Sequence, residues 1–103
     1  MGKKQRDIGL RFDRKVVNLA RDAGHDSFRV PLSGAAEGFK GDVVINLPGE
    51  SLTLECKNRQ SGFKFLYDNL EGVDALVVQQ KYKEPLAVLP YDPYLKLLGG
   101  QHD

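Results

Sequence analysis

The stretch from Gly41 to Lys57 constrains the fold of this chain more than any other. It reads as two strands joined by a tight turn: Gly41-Asp42-Val43-Val44-Ile45-Asn46, then Pro48-Gly49, then Ser51-Leu52-Thr53-Leu54-Glu55-Cys56-Lys57. Proline and glycine supply the turn chemistry. In the second strand Leu52, Leu54 and Cys56 alternate with Ser51, Thr53, Glu55 and Lys57, and a period of two places Glu55 and Lys57 on one face. The first strand is more continuously apolar. Asp42 lies at its start, which in an antiparallel hairpin is beside the end of the partner strand. Asp42, Glu55 and Lys57 are therefore expected together at one end of a sheet.

Two carboxylates and an ammonium so placed suit metal-assisted phosphodiester hydrolysis. Mg²⁺ prefers oxygen ligands and keeps several waters, so one or two carboxylates plus phosphate oxygens make a sufficient site. Asp42 and Glu55 are the candidate ligands. Lys57 is placed to orient a water or to neutralise charge developing on the phosphate. Taken alone, an acidic residue two positions before a lysine is a weak signal, and the chain holds a second copy in Asp13-Arg14-Lys15. That copy falls in a helical segment, where residues two apart diverge by about 200°. Without further context Glu55 and Lys57 are equally a surface ion pair on a half-exposed strand.

Elements before and after the hairpin supply the context. From about Ile8 to Ala23 the residues Ile8, Phe12, Val16, Leu19, Ala20 and Ala23 fall on one helical stripe, with Gly24 as its stop and Asp13 at its edge. Asp13 there either reaches the metal end of the sheet or is a rim charge paired with Arg14, Lys15 or Arg21. Ser27 to Val30 alternate as a short strand closed by Pro31, and a Gly- and Ala-containing loop runs from Leu32 to Lys40. After Lys57 the pattern predicts a helix near Phe63 to Leu70, strands at 75–79 and 85–89, and a closing helix at about Asp92 to Leu98. The resulting order is αβββαββα.

Five of these features occur in a telling sequence: Gly9-Leu10-Arg11-Phe12-Asp13-Arg14 on the helix, Arg29 on a strand, Ser33-Gly34 in the loop, Gly41-Asp42, and Glu55-Cys56-Lys57. Together they resemble the PD-(D/E)xK nuclease superfamily, and most closely the archaeal and phage-type Holliday junction resolvases, over roughly residues 5 to 60. The resemblance implies a restriction-endonuclease-like α/β fold: a single nuclease domain over residues 1–103, with a mixed central β-sheet flanked by helices around an αβββαβ core. It implies a Mg²⁺-dependent endonuclease, with Mn²⁺ able to substitute, that nicks opposed strands of a four-way DNA junction as a homodimer. Asp42, Glu55 and Asp13 are then the metal and catalytic carboxylates and Lys57 the catalytic lysine. Arg29 and Ser33 contact the cleaved backbone. The helix acid usually held by glutamate is Asp13 here, one methylene shorter, and the proline of the motif is Gly41. Two alternatives stay open, a restriction, nicking or repair nuclease of the same superfamily and a catalytically silent DNA-binding module.

Charge distribution fits a nucleic-acid partner better than the net charge of +1 suggests. Residues 1–29 carry eight basic and four acidic side chains, and the remainder seven and ten. Lys3, Lys4, Arg6 and Arg11 would attract a phosphate backbone, with residues 1–6 as a basic tail and 99–103 as a frayed one. At 103 residues one domain with one core is expected. The lone Cys56 permits no internal disulfide and is expected buried rather than nucleophilic. His25 and His102 lack metal-ligand spacing. Apolar residues of the second half, among them Phe65, Leu66, Leu86 and Leu95, exceed what one helix face needs, which suits a two-fold interface. With no apolar run of membrane-spanning length and no signal-peptide core, a cytoplasmic protein of an archaeal, bacterial or phage-infected cell is expected.

Overall fold

A computed structural model of the chain describes residues 2–31 and 41–99, with side chains from residue 8 onward. Ser33 and His102 lie outside the described residues, as do the side chains of Lys3, Lys4 and Arg6. Two compact units are present: Met1–Asn58 with Leu98–Asp103, and Arg59–Leu97.

The first unit begins with helix α1, Gly2–Asp22. Its buried face is Asp13, Val16, Val17 and Ala20, the i, i+3, i+4, i+7 spacing of one helical side. This departs from the expected stripe. Ile8 is exposed and Phe12 half-buried, so the face turns toward Val17 and Asp13 lies within it rather than at its rim. Ala20, fully buried, is small enough to let the helix lie close on the sheet. A Schellman motif ends the helix: Gly24 at φ +96° donates its N–H to the Arg21 carbonyl at 2.9 Å, and His25 donates to that of Ala20 at 3.0 Å. His25 is buried in the turn that follows.

Strands β1 (Asp26–Arg29), β2 (Val43–Leu47) and β3 (Glu50–Leu54) form an antiparallel sheet in the order β1-β2-β3. Phe28 pairs with Val44, and Val44 in turn with Thr53. β2 is central, and its consecutive Val43, Val44 and Ile45 are at most 2% exposed. Successive residues face opposite sides of a strand, so both faces of β2 are covered, which explains its unbroken apolar run. Several polar groups in this layer pair across strands. The buried Ser27 hydroxyl donates to the Val44 carbonyl at 2.8 Å, and Asn46 links Asp26 to Ser51 on the neighbouring strands. The ladder closes at Leu54, three residues before the expected end of the strand, so Glu55 to Lys57 continue beyond it.

The second unit contains α2 (Lys64–Leu70), β4 (Leu76–Val78), β5 (Leu86–Val88) and α3 (Tyr91–Leu97). β4 and β5 pair antiparallel across residues 79–85. Phe65, Val77, Leu86 and Leu97 are more than half exposed. The element order αβββαββα is the expected one, and the mixed α/β composition is that of a restriction-endonuclease-like fold. The five strands, expected in one mixed sheet, pair as a three-stranded and a two-stranded antiparallel sheet. Connection length accounts for the second, because seven residues close a hairpin but are too few for the crossover that parallel pairing needs. Among the described residues no helix is long and apolar enough to cross a membrane.

Candidate active site

The site forms where β2 begins, and Gly41 shapes it. Its φ is +100°, and a Cβ at this position would lie 2.8 Å from the Leu54 carbonyl oxygen, so only glycine fits without displacing the β3 backbone. Proline, whose φ is fixed near −65°, could not adopt this conformation. Asp42 follows with a kinked hydrogen-bond pattern. Its N–H donates to Leu54 of β3 at 2.7 Å, while its carbonyl accepts from Val30, beside β1, at 2.9 Å. A regular residue of an inner strand directs both groups to the same neighbour. The ladder is thus irregular at Asp42, the kind of departure that re-aims side chains beside active sites. Its Oδ2 accepts the backbone N–H of Cys56 at 2.9 Å.

Helix α1 brings the second carboxylate. Asp13 is only 9% exposed, and one ligand atom from each of Asp13, Asp42 and Cys56 lies within 4.8 Å of the others. Burial raises the Asp13 pKa above its ordinary 3.8, and the negative charges of Asp42 and Glu55 push it further up. A hydrogen bond from the Cys56 thiol and the positive charge of Arg29 act in the opposite direction. Cys56 is pushed up to about 12, first by burial and then by Asp13 and Asp42, so it is a thiol at neutral pH. Its place does not follow the expectation of an apolar core position, because the half-buried side chain serves as a donor to Asp13.

Arg29 stands opposite Val43 in the ladder. Its Nη1 is buried and has no hydrogen-bond acceptor among the described residues. A buried guanidinium nitrogen left unpaired costs free energy, on the order of 1–3 kcal/mol, and marks a place for a further acceptor. Glu55 and Lys57 face the other way. Both side chains are 58% exposed, and Glu55 Oε2 lies 3.3 Å from Lys57 Nζ. They share a face as expected, but the Glu55 carboxylate is directed to the lysine and stands outside the Asp13–Asp42–Cys56 cluster. Arg11 is exposed on α1.

The donor set fits a hard divalent cation. Two carboxylates converge, and a bound dication would relieve their mutual repulsion. The protonated Cys56 thiol is a poor ligand for such an ion and serves better as a hydrogen-bond donor. Sequence reading missed two contributors, the positive φ at Gly41 and the part played by Cys56. Alternation carried a signal for the second, since it sets Cys56 on the face opposite Glu55.

A family model described as archaeal Holliday junction resolvase (Hjc) matches residues 4–86. No curated protein and no solved structure gives a match. The matched span includes nearly all of α1, the three-stranded sheet, the acidic cluster and the Glu55–Lys57 pair, and the chain belongs to the archaeal Holliday junction resolvase family.

Proposed function

We propose that this protein is a Mg²⁺-dependent endonuclease that nicks opposed strands of a four-way DNA junction as a homodimer, with residues 1–103 acting as one nuclease domain. The observation that carries the proposal is the Asp13–Asp42 carboxylate pair, which stands in the electrostatic field of an Arg29 whose buried Nη1 lacks an acceptor. Acids to hold a cation and a guanidinium to hold a phosphate are the two halves of a phosphodiester site.

Asp42 and Asp13 would hold Mg²⁺, with Glu55 turning from Lys57 to join them, and Mn²⁺ would fit the same oxygens. The ion, when bound, supplies Lewis acidity toward a phosphate oxygen. Arg29 fixes the phosphate through its unpaired Nη1, and Ser33 is assigned to the same backbone. Lys57, released from Glu55, orients the attacking water and neutralises charge on the phosphate. The Cys56 N–H fixes the Asp42 carboxylate, and its thiol fixes that of Asp13. Lys3, Lys4, Arg6 and Arg11 are assigned to DNA beyond the cleaved bond. The exposed Phe65, Leu86 and Leu97 provide apolar surface of the kind a two-fold interface uses.

Incubation with a four-way junction, a matched linear duplex and a flap in Mg²⁺ tests the proposal. Junction-selective cutting is expected, and Asp42→Asn should abolish it with binding retained. Equal cutting of all three substrates would remove the junction assignment, and cutting by Asp42→Asn would remove the metal assignment. A monomer at micromolar concentration, with and without junction, would refute the dimer.

A further inference from the structure

Tyr82 stands at the turn between β4 and β5, and three observations about it have no part in the site described above. Its side chain is 93% exposed, the largest exposure among the large hydrophobic residues described. It is the one non-glycine residue at positive φ among those described, at +68°. Lysines flank it on both sides, and Lys81 Nζ lies 5.3 Å from the centre of its ring.

Stability explains neither the exposure of the ring nor its backbone conformation. A bulky aromatic residue in the left-handed region is strained, where glycine or asparagine is at ease, and such strain concentrates at positions that act on something else. The ring buries little in this chain. The turn beneath it is nonetheless held: Lys83 donates its N–H to the Gln80 carbonyl at 2.9 Å, and Gln79 Nε2 donates to the Lys83 carbonyl at 3.0 Å. A braced turn thus presents an exposed aromatic ring with the Lys81 ammonium over it and a second lysine, Lys83, next in the chain. Beside it Gln80, Lys83 and Glu84 line an open concavity of about 500 Å³, with Val78 and Leu86 as its apolar part.

From this arrangement we infer that the Lys81-Tyr82-Lys83 turn is a second DNA contact, in which the Tyr82 ring stacks on a base exposed at the branch point while the two lysines engage the adjoining phosphates. An aromatic ring flanked by cations is the chemistry that recognises unstacked nucleobases on a polyanion. In a continuous duplex each base face is covered by its neighbour. Where helices part at a junction, terminal pairs have open faces, so a stacking turn discriminates branched from linear DNA without reading sequence. The inference rests on the junction reading above and adds to it a residue that sets structural specificity.

The test uses a four-way junction with 2-aminopurine beside the branch point, titrated with the wild-type chain, Tyr82→Phe and Tyr82→Gly in EDTA. Glycine accepts the positive φ and removes the ring, so Tyr82→Gly should melt at or above the wild-type temperature. Its junction affinity should fall roughly ten- to a hundredfold, linear-duplex affinity should stay within about twofold, and the 2-aminopurine response to binding should vanish. Tyr82→Phe should behave as wild type. A wild type that binds the junction together with a Tyr82→Gly within about twofold of it overturns this inference alone. A wild type with no preference for the junction over the duplex overturns the junction reading and this inference with it.

Discussion

Replacing Asp13 by asparagine is expected to make the metal-free protein more stable, although it alters a buried group in the site. Ligand atoms of Asp13 and Asp42 lie within 4.8 Å of each other. Two unit charges at that separation repel by about 3.5 kcal/mol at an effective dielectric of ~20 and by about 0.9 kcal/mol in bulk water. Asp13 is buried and Asp42 half-buried, so a gain of about 1–3 kcal/mol at neutral pH is expected. Asparagine is nearly isosteric, and its oxygen still accepts the Cys56 thiol. The pH dependence follows from linkage. The Asp13 pKa is raised above 3.8 in the folded protein, so between 3.8 and the raised value the native state holds more protons than the unfolded state. Wild-type stability therefore falls as pH rises through that window, and Asp13→Asn should lack this component. Mg²⁺ should reverse the order. At ten times its dissociation constant an ion stabilises the wild type by about 1.4 kcal/mol, and the variant should lose most of that gain. Urea denaturation followed by circular dichroism, in EDTA and in MgCl₂ from about pH 4 to about pH 8, measures all three effects. An Asp13→Asn protein no more stable than wild type in EDTA at neutral pH would refute the account of Asp13 and Asp42 as a like-charged pair.

Gly41→Ala should destabilise by about 1–3 kcal/mol, because it adds a Cβ 2.8 Å from the Leu54 oxygen at a φ of +100°. Gly49→Ala, at φ +86° with nothing within 4 Å, isolates the conformational part and should cost less in the same urea experiment. Cys56 should react with iodoacetamide far more slowly than a model thiol at pH 8, since its pKa stands at about 12, and Asp13→Asn should accelerate the reaction by removing a charge that opposes ionisation. Glu55→Gln should change stability by less than about 1 kcal/mol, as expected for an exposed ion pair, while lowering junction cleavage at least about a hundredfold. A fall in stability as large as that of Gly41→Ala would show that the Glu55–Lys57 pair is structural.

The succession of elements was legible because periodicity is a local signal. Leu52 and Leu54 alternate with Ser51 and Thr53, Val16 and Ala20 recur at helical spacing, and Gly24, Pro48 and Gly49 mark stops. Two matters depended on more than neighbours. Which side of α1 is buried follows from the packing of the helix against β1 and β2, which covers Val17 and Ala20, and a four-residue face can rotate without altering the pattern of apolar letters much. How the strands divide into sheets follows from pairing across the chain, which residues 76–88 settle by closing on themselves.

Part of the site was hidden because it depends on departures from regular geometry. Alternation alone would leave Asp42 on the face of Val44 and Thr53. The positive φ of Gly41 and the divided hydrogen bonds of Asp42 bring its carboxylate instead to the Cys56 N–H, within reach of Asp13. Motif spacing records which acids are present, whereas the backbone kink decides which of them meet. A close pair of carboxylates, one buried and one half-buried, raises the free energy of the metal-free fold, and the unpaired Arg29 Nη1 adds a second unmet demand of opposite sign. A cation and a phosphate arriving together would relieve both at once. Binding of the two should therefore be cooperative, each removing an electrostatic cost that the other otherwise meets.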